Sequence, residues 1–281
     1  MTITVDRKNI IQKLILSQPV NIPVFHEVAL RLMQMMNGNS YRIEEAIKLV
    51  NEDTALASEM LRHANTTYNS GTTPITTIKN AIVRLGSQQV VNLAFTASMA
   101  TNISDNPIIN AQLKRLWKHS HAVAITSAWL AVQTSHNNPA LDINADEVYL
   151  AGLFHDIGKL YLLKSMDNLI RLGILQDDDE LMDEMLEGFS LQLGIKVMRH
   201  LHIPEIYSDS VERHITDNWQ CGTNDHLVAA VRLSCKIHEC VQQGVELTKT
   251  SEINNQVNEE LSMLGIGDLS YVYDLVKAMC D

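Results

Sequence analysis

Apolar residues recur at intervals of three and four along almost the whole chain, and no segment shows sustained alternation of apolar and polar residues. Residues 10–15 and 78–85 are clear examples, with isoleucine, leucine and alanine at the repeating positions. Such spacing lines one face of an α-helix, whereas a half-buried strand needs a period of two. The sequence therefore predicts an all-α fold.

Glycine, proline and capping residues mark the ends of the predicted helices. Gly38 follows the second helix, Asp53 can cap the fourth, and Gly86 follows the fifth. Residues 66–77 are predicted to form a loop, and residues 104–110, which carry Pro107 without a clear period, are interpreted as a hinge between two halves. Helices are predicted near residues 1–15, 25–36, 43–50, 54–61, 78–85, 111–134, 145–165, 179–187, 190–201, 204–217, 224–243 and 254–280.

Composition narrows the class of protein. The chain has 281 residues, 46% of them hydrophobic, which suffices for one large domain or two small ones. The formal net charge is −11, and an acidic surface repels phosphate backbones, so non-specific binding of nucleic acid is not expected. A local basic pocket for one small anion is compatible with this charge. No run of eighteen apolar residues and no secretory signal is visible, so we expect a cytoplasmic protein without a membrane span.

The cysteines are too few for a disulfide framework. Four are present, with no CxxC pair, and we interpret them as reduced thiols. A thiol site built from Cys235, Cys240, His238 and His214 matches no standard zinc spacing. We therefore interpret Cys235 as a small buried apolar residue.

The most informative polar residues are His155 and Asp156, because they interrupt the apolar run from Leu150 to Leu163. Burial of an ionised carboxylate without a compensating partner costs on the order of several kcal/mol. Asp156 must therefore reach water, pair with a cation, or hold a metal ion. Which of these holds largely decides whether the protein is an enzyme.

Several segments resemble motifs of the HDOD family, the output-domain relatives of HD-type metal-dependent phosphohydrolases. The resemblance implies an HD-like helical bundle with an N-terminal helical sub-half. It implies a helix over 1–15, an HDOD domain over 16–240, and a helical extension over 241–281, with the first half ending near 106 and the HD-like half starting near 111. The matching segments are residues 19–23, 50–56, 61–68, 78–86, 116–120 and 151–159.

The resemblance also implies a metal site that this chain retains only in part. His119, His155, Asp156 and His214 match metal-ligand positions of HD enzymes. The other ligand positions of the family fall on Ser190, Ile215 and Cys235 in this sequence. Replacement of a carboxylate and of imidazoles removes the ligands that hard cations prefer. We therefore expect either no cofactor or one weakly bound divalent metal ion.

A purely structural interpretation of the same residues is favoured. Asp156 could accept a hydrogen bond from His119 and could meet Lys159, which lies three residues later on the same helical face. Gly158 lacks a Cβ and would let another helix approach closely. The pair would then be a polar link in the core, derived from a former metal site.

The resemblance implies a role in bacterial signal transduction, and the partial loss of the metal ligands leads us to expect a module that acts by binding and not by turnover. Its partners would be unknown signalling proteins in trans, and a homodimer is allowed. Asn65, Tyr68 and Arg84 are candidate binding residues in a groove between the two halves. The alternative is a metal-dependent phosphohydrolase for a phosphomonoester or a cyclic nucleotide, in which His155, Asp156 and Lys159 would be catalytic.

Overall fold

The computed structural model describes residues 2–17, 24–38, 42–66, 74–139, 141, 143–176, 178–215, 225–244, 257–267 and 270–280. This part of the chain contains helices and no strand, which confirms the all-α prediction. The helices are α1 (Thr2–Ser17), α2 (Glu27–Asn37), α3 (Ile43–Glu52), α4 (Thr54–Ala64), α5 (Ile78–Leu85), α6 (Ser87–Ala100), α7 (Pro107–Asn137), α8 (Ala145–Phe154), α9 (Ile157–Arg171), α10 (Asp179–His200), α11 (Glu205–Arg213), α12 (Asp225–Gln242), α13 (Asn258–Leu264) and α14 (Ser270–Cys280).

Contacts divide the chain into two units, residues 23–102 and residues 1–22 together with 103–281. The smaller unit contains α2 to α6. Asp53 caps α4 as predicted, because its carboxylate accepts a hydrogen bond from the backbone N–H of Leu56 at 3.0 Å. Gly86 ends α5 with a φ of +79°, a conformation that favours glycine. The rings of Phe25 and Phe95 meet edge to face in the core of this unit, 4.8 Å apart.

The larger unit is built around α7, a helix of 31 residues that packs against α8, α12 and α14. Helix α9 packs against α10, and α1 joins the same unit through α10. The ammonium of Lys196 in α10 donates to the carbonyl oxygen of Leu16 at 2.7 Å. Helices α13 and α14 pack against α12 and bury Leu264, Val272 and Val276. Residues after 241 therefore contribute to the core of this unit.

Two glycines allow helices of the larger unit to approach very closely. A Cβ on Gly152 of α8 would lie 2.7 Å from the Cα of Ala124 in α7. A Cβ on Gly158 of α9 would lie 2.7 Å from the backbone nitrogen of Gly194 in α10. The expected close helix approach at Gly158 is thus present, and its partner is α10.

Several predicted boundaries differ from the structure. The helix predicted over 145–165 is broken at His155 and Asp156, while the helices predicted over 179–187 and 190–201 form the single helix α10. Residues 107–110 of the predicted hinge are instead the first turn of α7, and the boundary between the two units falls slightly earlier, between residues 102 and 103. The Asn106 side chain caps α7 by accepting hydrogen bonds from the backbone N–H groups of Ile108 and Ile109, and Pro107 occupies the first turn. The helix predicted over 254–280 is divided into α13 and α14.

No helix in the described part of the chain is both long enough and apolar enough to cross a membrane.

Candidate metal centre

The His155-Asp156 pair lies in the turn between α8 and α9 and not within a helix. Both residues are buried, with exposed fractions of 2% and 5%. The residues next to the turn, from Leu150 to Phe154 in α8 and Ile157, Gly158 and Leu160 in α9, are buried, so the chain passes through the core on both sides of the turn. This placement delivers a histidine and a carboxylate to the interior of the larger unit.

Two further histidines approach the same carboxylate from other helices. The Nε2 atom of His119 in α7 lies 3.6 Å from Oδ2 of Asp156, and the Nε2 atom of His214, just after α11, lies 3.6 Å from Oδ1. The Nε2 atom of His155 lies 3.3 Å from Oδ2. The structure therefore brings together all four residues that the sequence indicated as ligand candidates.

The orientation of each imidazole is fixed by a contact of its other ring nitrogen. Nδ1 of His155 is 2.7 Å from the carbonyl oxygen of Gly152, and Nδ1 of His214 is 2.9 Å from that of Ser210. A carbonyl only accepts, so both Nδ1 atoms carry the proton and donate. Nδ1 of His119 lies 2.8 Å from Nδ1 of His238. The Nε2 atoms are thereby directed at Asp156, the arrangement that outer hydrogen bonds create around metal ligands.

Lys159 supplies the closest cation to Asp156. Its ammonium donates to Oδ2 at 2.8 Å, and its side chain is 36% exposed while that of Asp156 is 5% exposed. The predicted pairing across one helical face is thus present in the structure. The hydrogen bond expected from His119 is absent, because its 3.6 Å separation from Oδ2 is too long.

Burial and neighbouring charges displace the pKa values of the cluster. Burial raises the pKa of Asp156, but His155, His214 and Lys159 outweigh it and hold that pKa well below its usual range. Burial lowers the pKa of His155, but Cys235 and Asp156 outweigh it and hold that pKa well above its usual range. A charged His155 beside an ionised Asp156 is therefore the state favoured without a metal ion.

The pKa values of the other histidines in the cluster are lowered, in contrast to that of His155. Burial and the charge of His155 hold the pKa of His119 well below its usual value. Burial is also the main cause that lowers the pKa of His214 and of His238. These three imidazoles are therefore neutral at pH 7, which is the protonation state that binds metals.

The donor spacing fits one metal ion. The Nε2 atoms of His119 and His155 are 3.1 Å apart, and Oδ2 of Asp156 lies 3.6 Å and 3.3 Å from them. Ligands about 2.0–2.1 Å from a tetrahedral ion are themselves separated by roughly 3.3 Å. The three atoms thus already form a triangle of the size that a single ion requires. They could hold a divalent metal ion.

Helix α12 adds two residues that the sequence interpretation undervalued. The Sγ atom of Cys235 and a ring nitrogen each of His119 and His155 lie within 4.8 Å of one another. His238 follows Cys235 by three residues, so both face the site from one side of α12. The match of Cys235 to a ligand position of the family and its i, i+3 spacing to His238 were both visible in the sequence, but the thiol was interpreted as a buried apolar residue.

Two cavities flank Asp156. A cavity of about 390 Å³ lies on the side of His119, and its charged walls carry Arg115, Lys159, Asp183, Glu187 and Glu239. A cavity of about 200 Å³ lies on the side of His214 and is lined in part by Ser190, Ile215 and Leu191. The site is therefore accessible to small solutes from both sides.

The backbone at His214 is held by a half-buried arginine. Arg232 of α12 donates to the backbone carbonyls of Arg213 at 2.9 Å and His214 at 3.2 Å. Its Nε also donates to Oε1 of Glu260 in α13 at 2.7 Å, with side-chain exposures of 16% and 5%. The end of α11 is thus fixed to α12 and, through Glu260, to α13.

The candidate binding residues of the smaller unit have local structural contacts. The Asn65 amide exchanges two hydrogen bonds of 2.8 Å with the backbone of Ile75. Arg84 donates weakly to the carbonyl of Ala64 at 3.5 Å. Tyr68 lies outside the described residues. Binding by Asn65 and Arg84 stays a prediction.

An all-helical unit with a buried His-Asp pair, surrounded by histidines from other helices, is an HD-like arrangement. The HDOD domain family matches residues 22–216 of this sequence. The chain therefore belongs to the HDOD domain family.

Solved structures show the same fold. The structure of a provisionally named metal-dependent phosphohydrolase from Shewanella amazonensis SB2B has a TM-score of 0.72 at 20% identity, and each chain covers 100% of the other. An HDOD domain protein of unknown function from Geobacter sulfurreducens has a TM-score of 0.63 at 18% identity, covering 99% of this chain and 98% of that one. At these identities the likeness shows the fold alone.

A third structure, of a provisionally named signal transduction protein from Marinobacter aquaeolei VT8, has a TM-score of 0.55 at 15% identity, covering 93% of this chain and 60% of that one. The chain is also 18% identical over 200 residues to an uncharacterized protein of Treponema pallidum (strain Nichols), covering 69% of this chain. The chain spans about 37% of the length of that relative.

Proposed function

We propose that this HDOD protein is a cytoplasmic bacterial signal-transduction module that acts by binding partner proteins in trans and not by turnover. The observation that carries the proposal is the internal compensation of Asp156. Lys159 and a charged His155 satisfy this carboxylate from within the chain, so its burial requires no catalytic ion. A homodimer is compatible with this function.

The chemistry of the ligand set supports binding over hydrolysis. Asp156 supplies the carboxylate of the ligand cluster, and Ile215, which lines the smaller cavity, offers no donor atom at all. A two-metal hydrolytic centre needs enough donors to hold both ions about 3.5–4 Å apart. The described residues of this cluster form two three-donor groups that share His155, so they do not provide two independent sets of ligands.

The charge of the larger cavity supports the same conclusion. Arg115 and Lys159 are opposed there by three further carboxylates, those of Asp183, Glu187 and Glu239. An anionic phosphoester approaching Asp156 through this cavity would pass these groups, and like charges at a cavity entrance oppose its binding. A hydrolase for phosphoesters would be expected to have the opposite balance.

The second candidate is a metal-dependent phosphohydrolase. It is favoured by the three Nε2 atoms of His119, His155 and His214 that face one carboxylate. If an ion were bound there, it would lower the pKa of a coordinated water. Asp156 would then be a ligand, and Lys159 would orient the phosphate.

Turnover assays separate the two candidates. Protein purified without chelator would be tested with para-nitrophenyl phosphate, bis(para-nitrophenyl) phosphate and cyclic nucleotides, with Mg²⁺, Mn²⁺ or Zn²⁺ added. The binding function predicts no turnover above that of His155→Ala. Multiple turnover that His155→Ala abolishes would refute it and establish the hydrolase.

A further inference from the structure

We propose that the cluster holds one zinc-class ion and that the Cys235 thiolate is one of its ligands, together with His119, His155 and Asp156. The inference deepens the proposed function, because it names the ion that the non-catalytic site would hold. It rests on where α12 places its sulfur and on the spacing of the three other donors.

The first step is the position of the thiol. Cys235 is buried, with 9% exposure, and its Sγ lies within 4.8 Å of ring nitrogens of His119 and His155. In a tetrahedral zinc site a sulfur about 2.3 Å from the ion lies roughly 3.6 Å from its nitrogen ligands. Relative to these two nitrogens, the sulfur is therefore at most about 1 Å farther away than a tetrahedral site requires, which is a shift within the reach of a cysteine side chain.

The second step is the number of donors. His119, His155 and Asp156 already form a triangle with edges of 3.1, 3.3 and 3.6 Å. The thiolate would add the fourth donor of a tetrahedral set. His214 is not part of this set, because its Nε2 faces Oδ1 of Asp156, the oxygen that does not belong to the triangle. A site closed by four protein ligands leaves no position for a reacting water, which is the character of a structural zinc site.

The third step is the charge and softness of the set. One thiolate and one carboxylate neutralise a divalent ion, so the buried assembly carries no net charge apart from Lys159. Thiolate and imidazole favour zinc, whereas Mg²⁺ and Mn²⁺ favour oxygen ligands. This set of ligands therefore favours a borderline or soft metal ion such as Zn²⁺ over a hard ion such as Mg²⁺.

His238 acts as a positioning residue in this arrangement. Its Nδ1 lies 2.8 Å from Nδ1 of His119, so one of the two rings donates a proton to the other. When His119 donates, its Nε2 lone pair faces His155 and Asp156. Because Cys235 and His238 share one face of α12, this helix supplies both a ligand and the contact that orients another ligand.

Cobalt substitution tests the thiolate directly. The full-length protein would be freed of metal with a chelator under reducing conditions and titrated with Co²⁺. We expect a near-ultraviolet thiolate-to-cobalt charge-transfer band that saturates at one equivalent. Cys235→Ser should abolish the band, whereas Cys240→Ser should retain it. Cys240 is the matched control, since it lies on the same helix and is half-buried.

A second measurement uses the unaltered chain, so its result does not depend on whether a cysteine variant folds. X-ray absorption of the zinc-loaded protein should show one sulfur about 2.3 Å from zinc and nitrogen or oxygen at about 2.0–2.1 Å. Zinc affinity should fall at least ~10-fold in Cys235→Ser. Cys235→Asp should instead gain affinity for Mn²⁺ relative to Zn²⁺.

The inference is overturned if cobalt binds without the band, if the band survives in Cys235→Ser, if no sulfur is found near zinc, or if no metal binds. Absence of the band together with absence of turnover would reject the thiolate site and leave the proposed function standing. Phosphoester turnover by a protein that shows the band would reject the proposed binding function and leave the thiolate ligand standing.

Discussion

Gly158 lies so close to Ser190 that a Cβ on the glycine would stand 1.8 Å from the serine carbonyl oxygen. The contact is between backbones, so no side-chain rotation can relieve it. It sets the separation of α9 and α10 beside the His-Asp turn. The turn and the smaller cavity share this wall.

Gly158→Ala is therefore expected to lower the free energy of unfolding by at least about 3 kcal/mol, because α9 and α10 must move apart. Urea denaturation followed by circular dichroism measures this loss. Gly267→Ala is the control, since a Cβ there meets nothing within 4 Å, and should change stability by no more than about 0.5 kcal/mol. Equal stabilities of the two variants would contradict the helix contact.

Asp156→Ala is expected to destabilise the metal-free protein by about 3–5 kcal/mol. The substitution leaves His155 buried and Lys159 without its carboxylate. Asp183→Ala, at the rim of the larger cavity, is the comparison and should cost far less. If Asp156→Ala unfolded at the same urea concentration as the unaltered chain, the internal compensation we describe would be wrong.

Acidification from pH 7 to pH 5 should destabilise the metal-free protein by about 2 kcal/mol. The pKa values of His119, His214 and His238 are lowered from 6.5 in the folded state, mainly by burial. Their contribution to the free energy of unfolding is present above pH 6.5 and is lost as the pH falls. At lower pH these histidines bind protons in the unfolded chain, whereas burial disfavours their protonation in the folded chain. Unfolding free energies measured in a chelator across this range provide the test.

His155 acts in the opposite sense, since Cys235 and Asp156 raise its pKa against the effect of burial. Its contribution is complete below pH 6.5 and is lost as the pH rises through the folded-state pKa. Three histidines have lowered pKa values and only His155 has a raised one. We therefore expect the free energy of unfolding to fall on acidification. His119→Gln should flatten the profile, and a profile that steepened or kept its slope would count against the assignment.

Glu260→Gln should cost about 2–3 kcal/mol, because it removes the carboxylate that accepts from Arg232 at 2.7 Å, in a pair whose side chains are only 16% and 5% exposed. The matched control is Glu239→Gln, whose pair with Lys236 spans 3.4 Å and is about half exposed. That control should change stability by less than about 1 kcal/mol. The ring signals of His214 in an NMR spectrum should shift in Glu260→Gln and stay in place in Glu239→Gln.

The helical period was enough to predict the fold class, yet it missed the break at His155 and Asp156. Leu150 to Leu163 is apolar on both sides of the break, so the periodicity carries no signal for a turn inside the core. The opposite error occurred in α10, where the sequence predicted two helices, over 179–187 and 190–201, and the structure has one. The helix continues there because α9 packs against it through Gly158 and Gly194.

The candidate site was predictable in part. Motif positions indicated His119, His155, Asp156 and His214, and these residues converge. Cys235 also fell on a ligand position of the family, but we interpreted it as a buried apolar residue, because a thiol in an apolar helix looks the same whether it faces leucines or imidazoles. Only the packing of α12 against α7 reveals which of the two it faces.

The link from His214 through Arg232 to Glu260 has a practical consequence for anyone expressing a fragment. The family match ends at residue 216, before α12 begins, so a recombinant piece cut at that point would lack Cys235, His238 and the arginine that fixes His214. A piece cut after α12 would still lose the carboxylate that neutralises Arg232. Ligand screens or crystallisation with such truncated material would sample a damaged pocket.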